Sequence, residues 1–167
     1  IKNADLKPTD IVLEIGCGEG VLTKALASKI KKLYVVEIDE DCINATKEKL
    51  KNFKNIVFIH SDILKFDASV IKEDNIQIIA NIPYHITTKI IKFLIDNSNK
   101  FVSGMLMVQK EFAEKLLAKP GQKIYCSLTV FSNFYLNINH LFNVSKNCFF
   151  PVPKIDSSVV LLKVRTK

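Results

Sequence analysis

Paired cysteines, clustered histidines, arginine and long apolar runs are all scarce or missing in these 167 residues, and each scarcity excludes something. Cys17, Cys42, Cys126 and Cys148 stand far apart with no C-x-x-C pair. That argues against a zinc or redox motif and favours a reducing, cytoplasmic compartment. His60, His85 and His140 show no metal-ligand spacing either, so no metal is expected. No uninterrupted apolar stretch approaches the roughly 18–20 residues that a membrane span requires. Arginine occurs once, at position 165, whereas lysine accounts for 23 of the 24 basic side chains. Such a bias suits attraction to phosphate more than bidentate reading of bases. Glycine is also rare, yet three of the five glycines fall within Gly16–Gly20.

The charge that is present is unevenly placed. Residues 1–84 carry 12 basic and 13 acidic side chains, and residues 85–167 carry 12 and 4. The net +7 therefore resides in the second half, and a polyanionic partner, nucleic acid first, is the natural expectation. Length and composition fit one soluble globular domain spanning residues 1–167.

Short apolar runs alternate with helical periodicity along the chain. Asp10–Ile15 reads as a strand that runs into Gly16-Cys17-Gly18-Glu19-Gly20 and then a helix. Val21 occupies the last glycine slot of the dinucleotide fingerprint, so what stands is E-x-G-x-G-x-G from Glu14 to Gly20. A carboxylate on the strand suits a cationic, phosphate-free ligand such as S-adenosylmethionine. Lys32–Ile38 reads as a second strand. Its Glu37 lies where such folds accept hydrogen bonds from ribose hydroxyls, with a strand-end ion pair as the plain alternative. After a third strand, Asn55–His60, Asp62 is either a turn former or an acceptor for an adenine amine, with Ile63 against the ring. A fourth strand delivers Asn81-Ile82-Pro83-Tyr84. The Asn81 amide oxygen and the Ile82 carbonyl can accept two amine protons, Pro83 fixes the turn and Tyr84 can stack on a flat heterocycle. Read alone, the tetrapeptide is also an ordinary strand-ending turn. Helices are expected over Ile86–Ile95 and Gln109–Leu117, with a fifth strand at Phe101–Val108. Ile124–Tyr135 is ambiguous between helix and strand, and Ser157–Arg165 reads as a last, antiparallel strand.

Glu14–Gly20, Glu37-Ile38-Asp39, Asn81–Tyr84, Gln109-Lys110-Glu111, Ala118–Gly121 and Phe149-Phe150-Pro151-Val152-Pro153-Lys154-Ile155-Asp156-Ser157 occur in one characteristic order. With these motifs the chain resembles the small-subunit (16S-type) rRNA adenine-N6,N6-dimethyltransferases. It is also similar to their paralogues, the 23S rRNA adenine methylases of macrolide resistance. The resemblance implies a Rossmann-like class I S-adenosylmethionine-dependent methyltransferase with a mostly parallel sheet, acting on rRNA in the small ribosomal subunit or its precursor, as a monomer. It places Gly16, Glu37, Asp62 and Asn81 on the cofactor, Asn81 and Tyr84 on the target adenine, and Phe149 on that base's other face. Gln109–Glu111 and Ala118–Gly121 look more like the small-subunit group than the resistance group. The family's Gln-x-Phe-Leu segment has no counterpart before Ile1, and its helical C-terminal domain would follow Lys167, so a catalytic core is expected. A larger side chain at Ile82 or Tyr84 is expected to hurt the second methylation first. A non-catalytic RNA-binding or transcription-accessory protein on the same fold is the competing expectation.

Overall fold

Runs of apolar residues with little polar alternation form strands covered on both faces in the middle of a parallel sheet. Five such runs lie side by side here, the edge strand Ile56–His60 being only partly covered. The computed structural model describes residues 2–165. In chain order the strands are β1 (Ile11–Ile15), β2 (Lys32–Glu37), β3 (Ile56–His60), β4 (Ile76–Asn81), β5 (Phe101–Gln109), β6 (Leu136–Val144) and β7 (Ser157–Val164). They form one sheet in the order β3-β2-β1-β4-β5-β7-β6. The first five are mutually parallel, and β7 runs antiparallel to both β5 and β6. The helices are α1 (Val21–Ala27), α2 (Glu40–Lys49), α3 (Thr87–Asp96), α4 (Lys110–Leu117) and α5 (Ser127–Tyr135).

Side chains alternate across each strand, so the sheet has two cores. Val12 of β1 points with Leu26 and Ile30 to one face, where α1 packs. Leu13 points to the other with Ile78, Ile90, Ile91 and Leu94, against α3. Asp39 caps α2, its Oδ1 accepting from the amides of Asp41 and Cys42 at 2.9 and 3.3 Å. Glu40 and Asp41 add negative charge in the first turn, as the sequence suggests.

The α/β architecture with an antiparallel last strand is the one expected from sequence. Three details differ. The ambiguous stretch resolves into α5 from Ser127 onward. The following strand, β6, was not anticipated: only Leu136 of its nine residues is buried, and Asn137, Asn139, His140 and Asn143 give it no apolar signature. An edge strand paired on one side and solvated on the other needs none. The helix expected from Ile86 begins instead as a short 3-10 turn, Tyr84–Ile86, before α3. The segments expected before Ile1 and beyond Lys167 lie outside the described residues.

Candidate active site

In an open parallel sheet, ligands bind where neighbouring strands send their connections to opposite faces, beyond the carboxyl ends. The order β3-β2-β1-β4-β5 puts that point between β1 and β4. Pairing aligns the ends. Ile15 lies opposite both Val36 and Ala80, and Glu37 lies opposite His60. Gly16, Glu37 and Asn81 therefore occupy one row, with Asp62 two residues past His60. The glycine turn and the Asn81–Tyr84 turn consequently open at the same end of the sheet.

The glycines are required by the backbone. Gly16, Gly18 and Gly20 have φ of +78°, +47° and +82°, the left-handed region that other residues rarely adopt. At Gly20 a Cβ would also meet Thr46 Cγ2 at 2.9 Å. The Thr46 hydroxyl donates to the Gly18 carbonyl at 3.3 Å, so α2 holds the turn from behind. Glu37 fixes the turn's other side. Its Oε2 accepts from the Cys17 amide at 3.0 Å, and its Oε1 accepts from the amides of Ile38 and Asp39 at 2.7 and 3.0 Å. A carboxylate offers about four lone-pair directions. Three are taken by backbone here and the Cys17 thiol reaches Oε2 at 3.8 Å, so a ligand hydroxyl would have only that weak contact to displace.

Two adjoining cavities share Gly16 as a wall. One, of about 260 Å³, is lined by Glu37, Ile38, Asp62, Ile63 and Pro83, with Leu64, His85 and Ile86 among the rest. Ile38 is 64 % exposed and Leu64 39 %, large apolar side chains left uncovered at a slot that also holds two carboxylates. Asp62 both forms a turn, its Oδ1 accepting from the Leu64 amide at 2.9 Å, and lines the slot. The second cavity, of about 540 Å³, is lined by Glu14, Gly16, Gly18 and Asn81, together with Cys17, Met107 and the start of α1.

Glu14 is the unusual group. It is fully buried in β1, and neither carboxylate oxygen has a hydrogen-bond partner. Burial pushes its carboxyl up to about 7. The neighbouring Thr23 hydroxyl opposes that shift without reaching hydrogen-bond geometry, and the Glu37 charge adds to it. An uncompensated acid facing a cavity is what an ammonium or sulfonium ligand would satisfy. Cys17 is different: burial, chiefly, pushes its thiol up to about 11, so it stays protonated. The carboxylates, the apolar slot and the close backbone approach fit the S-adenosylmethionine that the motifs imply.

Several expected residues sit elsewhere. Ile82 is only 2 % exposed and packs in the core with Ile63, so its side chain cannot gauge a substrate and only its backbone carbonyl remains available. The expectation that enlarging Ile82 would act on the second methylation through the site is therefore corrected: enlargement there would strain the core. Gly20 lines neither cavity and serves the turn. Tyr84 and Phe149 line neither cavity as well. Both are half-buried, and the Tyr84 hydroxyl lies 2.9 Å from Ser157 Oγ at the start of β7. Met107 and Leu64 were missed. Met107 pairs with Asn81 in register, which only the strand alignment reveals. Among the described residues, no three His, Cys, Asp or Glu side chains gather as a metal site would need. No helix among them is long and apolar enough to cross a membrane.

A family model described as ribosomal RNA adenine dimethylase matches residues 1–167. A ribosomal RNA small subunit methyltransferase A from Clostridium botulinum (strain Loch Maree / Type A3) is 44 % identical over 164 residues, covering 97 % of this chain and 60 % of that protein. A dimethyladenosine transferase from Plasmodium falciparum superposes with a TM-score of 0.89 at 36 % identity, over 99 % of this chain and 59 % of that one. The 23S rRNA methyltransferase ErmE gives a TM-score of 0.87 at 30 % identity, over 99 % and 66 %. The chain thus spans about three-fifths of the length of the curated relatives it matches. With its whole length matched by that family model, the chain belongs to the ribosomal RNA adenine dimethylase family.

Proposed function

We propose that this chain is the catalytic domain of an enzyme that transfers methyl groups from S-adenosylmethionine to the N6 amines of adenines in small-subunit rRNA. The observation that carries the reading is the shared wall at Gly16: a slot for a nucleoside and a cavity holding Glu14 and Asn81 adjoin at the strand ends.

Glu37 and Asp62 would hold the ribose and adenine of the cofactor, with Ile38 and Ile63 against the ring. Glu14, Gly16 and Gly18 would hold its amino-acid end. When bound, the cofactor supplies an electrophilic methyl on a sulfonium. The residues of this chain then have to position and polarise. The N6 lone pair of adenine is delocalised into the ring, so the amine is a poor nucleophile. Acceptors from the Asn81 amide and the Ile82 carbonyl draw its two protons and return lone-pair character to nitrogen. Tyr84 and Phe149 hold the base once it has left its stack. The amine would take the methyl as the neutral thioether leaves, and its extra proton would pass to solvent. With Cys17 protonated, the turn offers no thiolate nucleophile.

This reading carries a cytoplasmic place of action, on the small subunit or its precursor. It also carries a monomer, the state that the family resemblance implies. ErmE supports a second reading, methylation of 23S rRNA, through its TM-score of 0.87. Labelled cofactor incubated with separate small and large ribosomal subunits, followed by mapping of modified adenines, tests the two. Label confined to small-subunit adenines is expected. Label in the large subunit alone overturns the proposal.

A further inference from the structure

The Tyr84 ring leaves the end of β4, and its hydroxyl reaches past the end of β5 to the first residue of β7, where Ser157 Oγ lies 2.9 Å away. Ser157 is fully buried and seated in the sheet between Gln109 of β5 and Val144 of β6. Its hydroxyl is therefore a fixed point. The other end of the tyrosine is also held, since the Thr87 hydroxyl donates to the Tyr84 carbonyl at 2.9 Å. Asp156, the preceding residue, makes two more ties. Its carbonyl accepts from the Lys110 amide at 3.1 Å, at the start of α4. Its carboxylate Oδ1 accepts from the Lys146 amide at 2.9 Å, and the Lys146 carbonyl in turn accepts from the Phe149 amide at 3.2 Å. Adjacent residues thus reach in two directions: one to the tip of Tyr84, the other to the turn that carries Phe149.

We propose that Asp156 and Ser157 act together as positioning residues, fixing where the Tyr84 ring stands relative to Phe149 and hence how closely a flat substrate group is held. The proposal rests on the reading of Tyr84 and Phe149 as the rings that hold the target base. Neither Asp156 nor Ser157 lines the cofactor cavities, so their effect falls on the acceptor side. A hydrogen-bonded tyrosine has lost the freedom to swing about its first torsion, and errors of about 1 Å in a reacting geometry cost on the order of a hundredfold in rate. The second transfer is the more demanding one, because a once-methylated amine has less latitude. Loosening the ring therefore lowers dimethyl product before monomethyl product.

The test uses the full chain, unmethylated small ribosomal subunits and tritium-labelled S-adenosylmethionine. Mono- and dimethyladenosine are counted separately. Ser157→Ala is expected to lower kcat by about tenfold, the scale of one lost hydrogen bond. KM for the cofactor stays unchanged, the dimethyl fraction falls and Ser157→Thr recovers most of the rate. Tyr84→Phe removes the same bond from its other end, so a Ser157→Ala chain that failed to fold would leave the test standing. The double variant is expected to be no slower than either single one. Asp156→Ala lowers the dimethyl fraction, and Asp156→Asn, which keeps an acceptor for the Lys146 amide, restores it. Additive losses in the double variant, or a rise in cofactor KM matching the fall in kcat, overturn the proposal. Failure of the underlying reading looks different: Tyr84→Ala would then leave transfer intact. If Tyr84→Ala abolishes transfer while the losses add, only the positioning role fails.

Discussion

Glu14 ties the site to pH. Its carboxyl stands at about 7 in the fold against an ordinary 4.5, mainly through burial, so between those values the folded chain binds more protons than the unfolded one. The stability this group contributes is fully present below the ordinary value and is lost as pH rises through 7. A cationic ligand reverses the sign, because it favours the ionised carboxyl. S-adenosylmethionine is accordingly expected to bind more tightly as pH rises from 6 to 8. Near pH 7 binding should release about half a proton, the share still bound at a pH equal to the group's own value. Calorimetry in buffers of differing ionisation enthalpy reads that release, and Glu14→Gln should abolish it. Asn81 can be tested more simply. Its side chain is exposed at the end of β4, so Asn81→Ala should leave the melting temperature unchanged. Methyl transfer should fall on the order of a hundredfold, the scale of removing one preorganised polar partner. At this scale the sequence was informative about which residues gather, since the row Gly16, Glu37, Asn81 follows from strand ends in order. It said nothing of Glu14 lacking a partner, or of Ile82 turning into the core, because both depend on what the neighbouring layers leave open.

Among the elements, the contact between the glycine turn and α2 is the most exacting. Gly20 combines a left-handed backbone with a Cβ position 2.9 Å from Thr46 Cγ2. Gly20→Ala is expected to cost about 1–3 kcal/mol. For a chain of this length that lowers the melting temperature by about 2–4 °C per kcal/mol. Adding Thr46→Ser removes the methyl group and should return part of the loss, while the backbone share remains. Melts of the parent chain and of these two variants measure the split. The parallel strands were legible because burial on both faces demands apolar residues throughout, as in Val12 and Leu13 or Ile78 and Ile79. β6 was not, because a strand with one bare edge and polar residues along it has no reason to look like one. α5 was equally hard to read, since Val130, Phe131 and Phe134 point outward and spoil the period that marks a buried helical face.

Across the whole molecule, charge is divided between halves: basic residues number 12 in each, but acidic ones fall from 13 to 4 after residue 84, which leaves the net positive charge there. Affinity for the ribosomal subunit should therefore fall steeply with salt. A slope of roughly −0.7 in log K against log salt is expected for each single-strand phosphate neutralised. Filter binding between 50 and 200 mM salt checks this, and a flat response would remove the electrostatic account. The sheet has one more property that matters before any substrate arrives. Among the described residues β7 is the last strand in chain order, yet it sits inside the sheet, between β5 and β6. Until a ribosome has released residues 157–164, β5 lacks a neighbour on one side and β6 has no strand to join. An emerging chain can therefore assemble β1 to β5 early, but it must hold an unfinished edge open for the final segment, and Tyr84 receives its Ser157 partner only at that closing step.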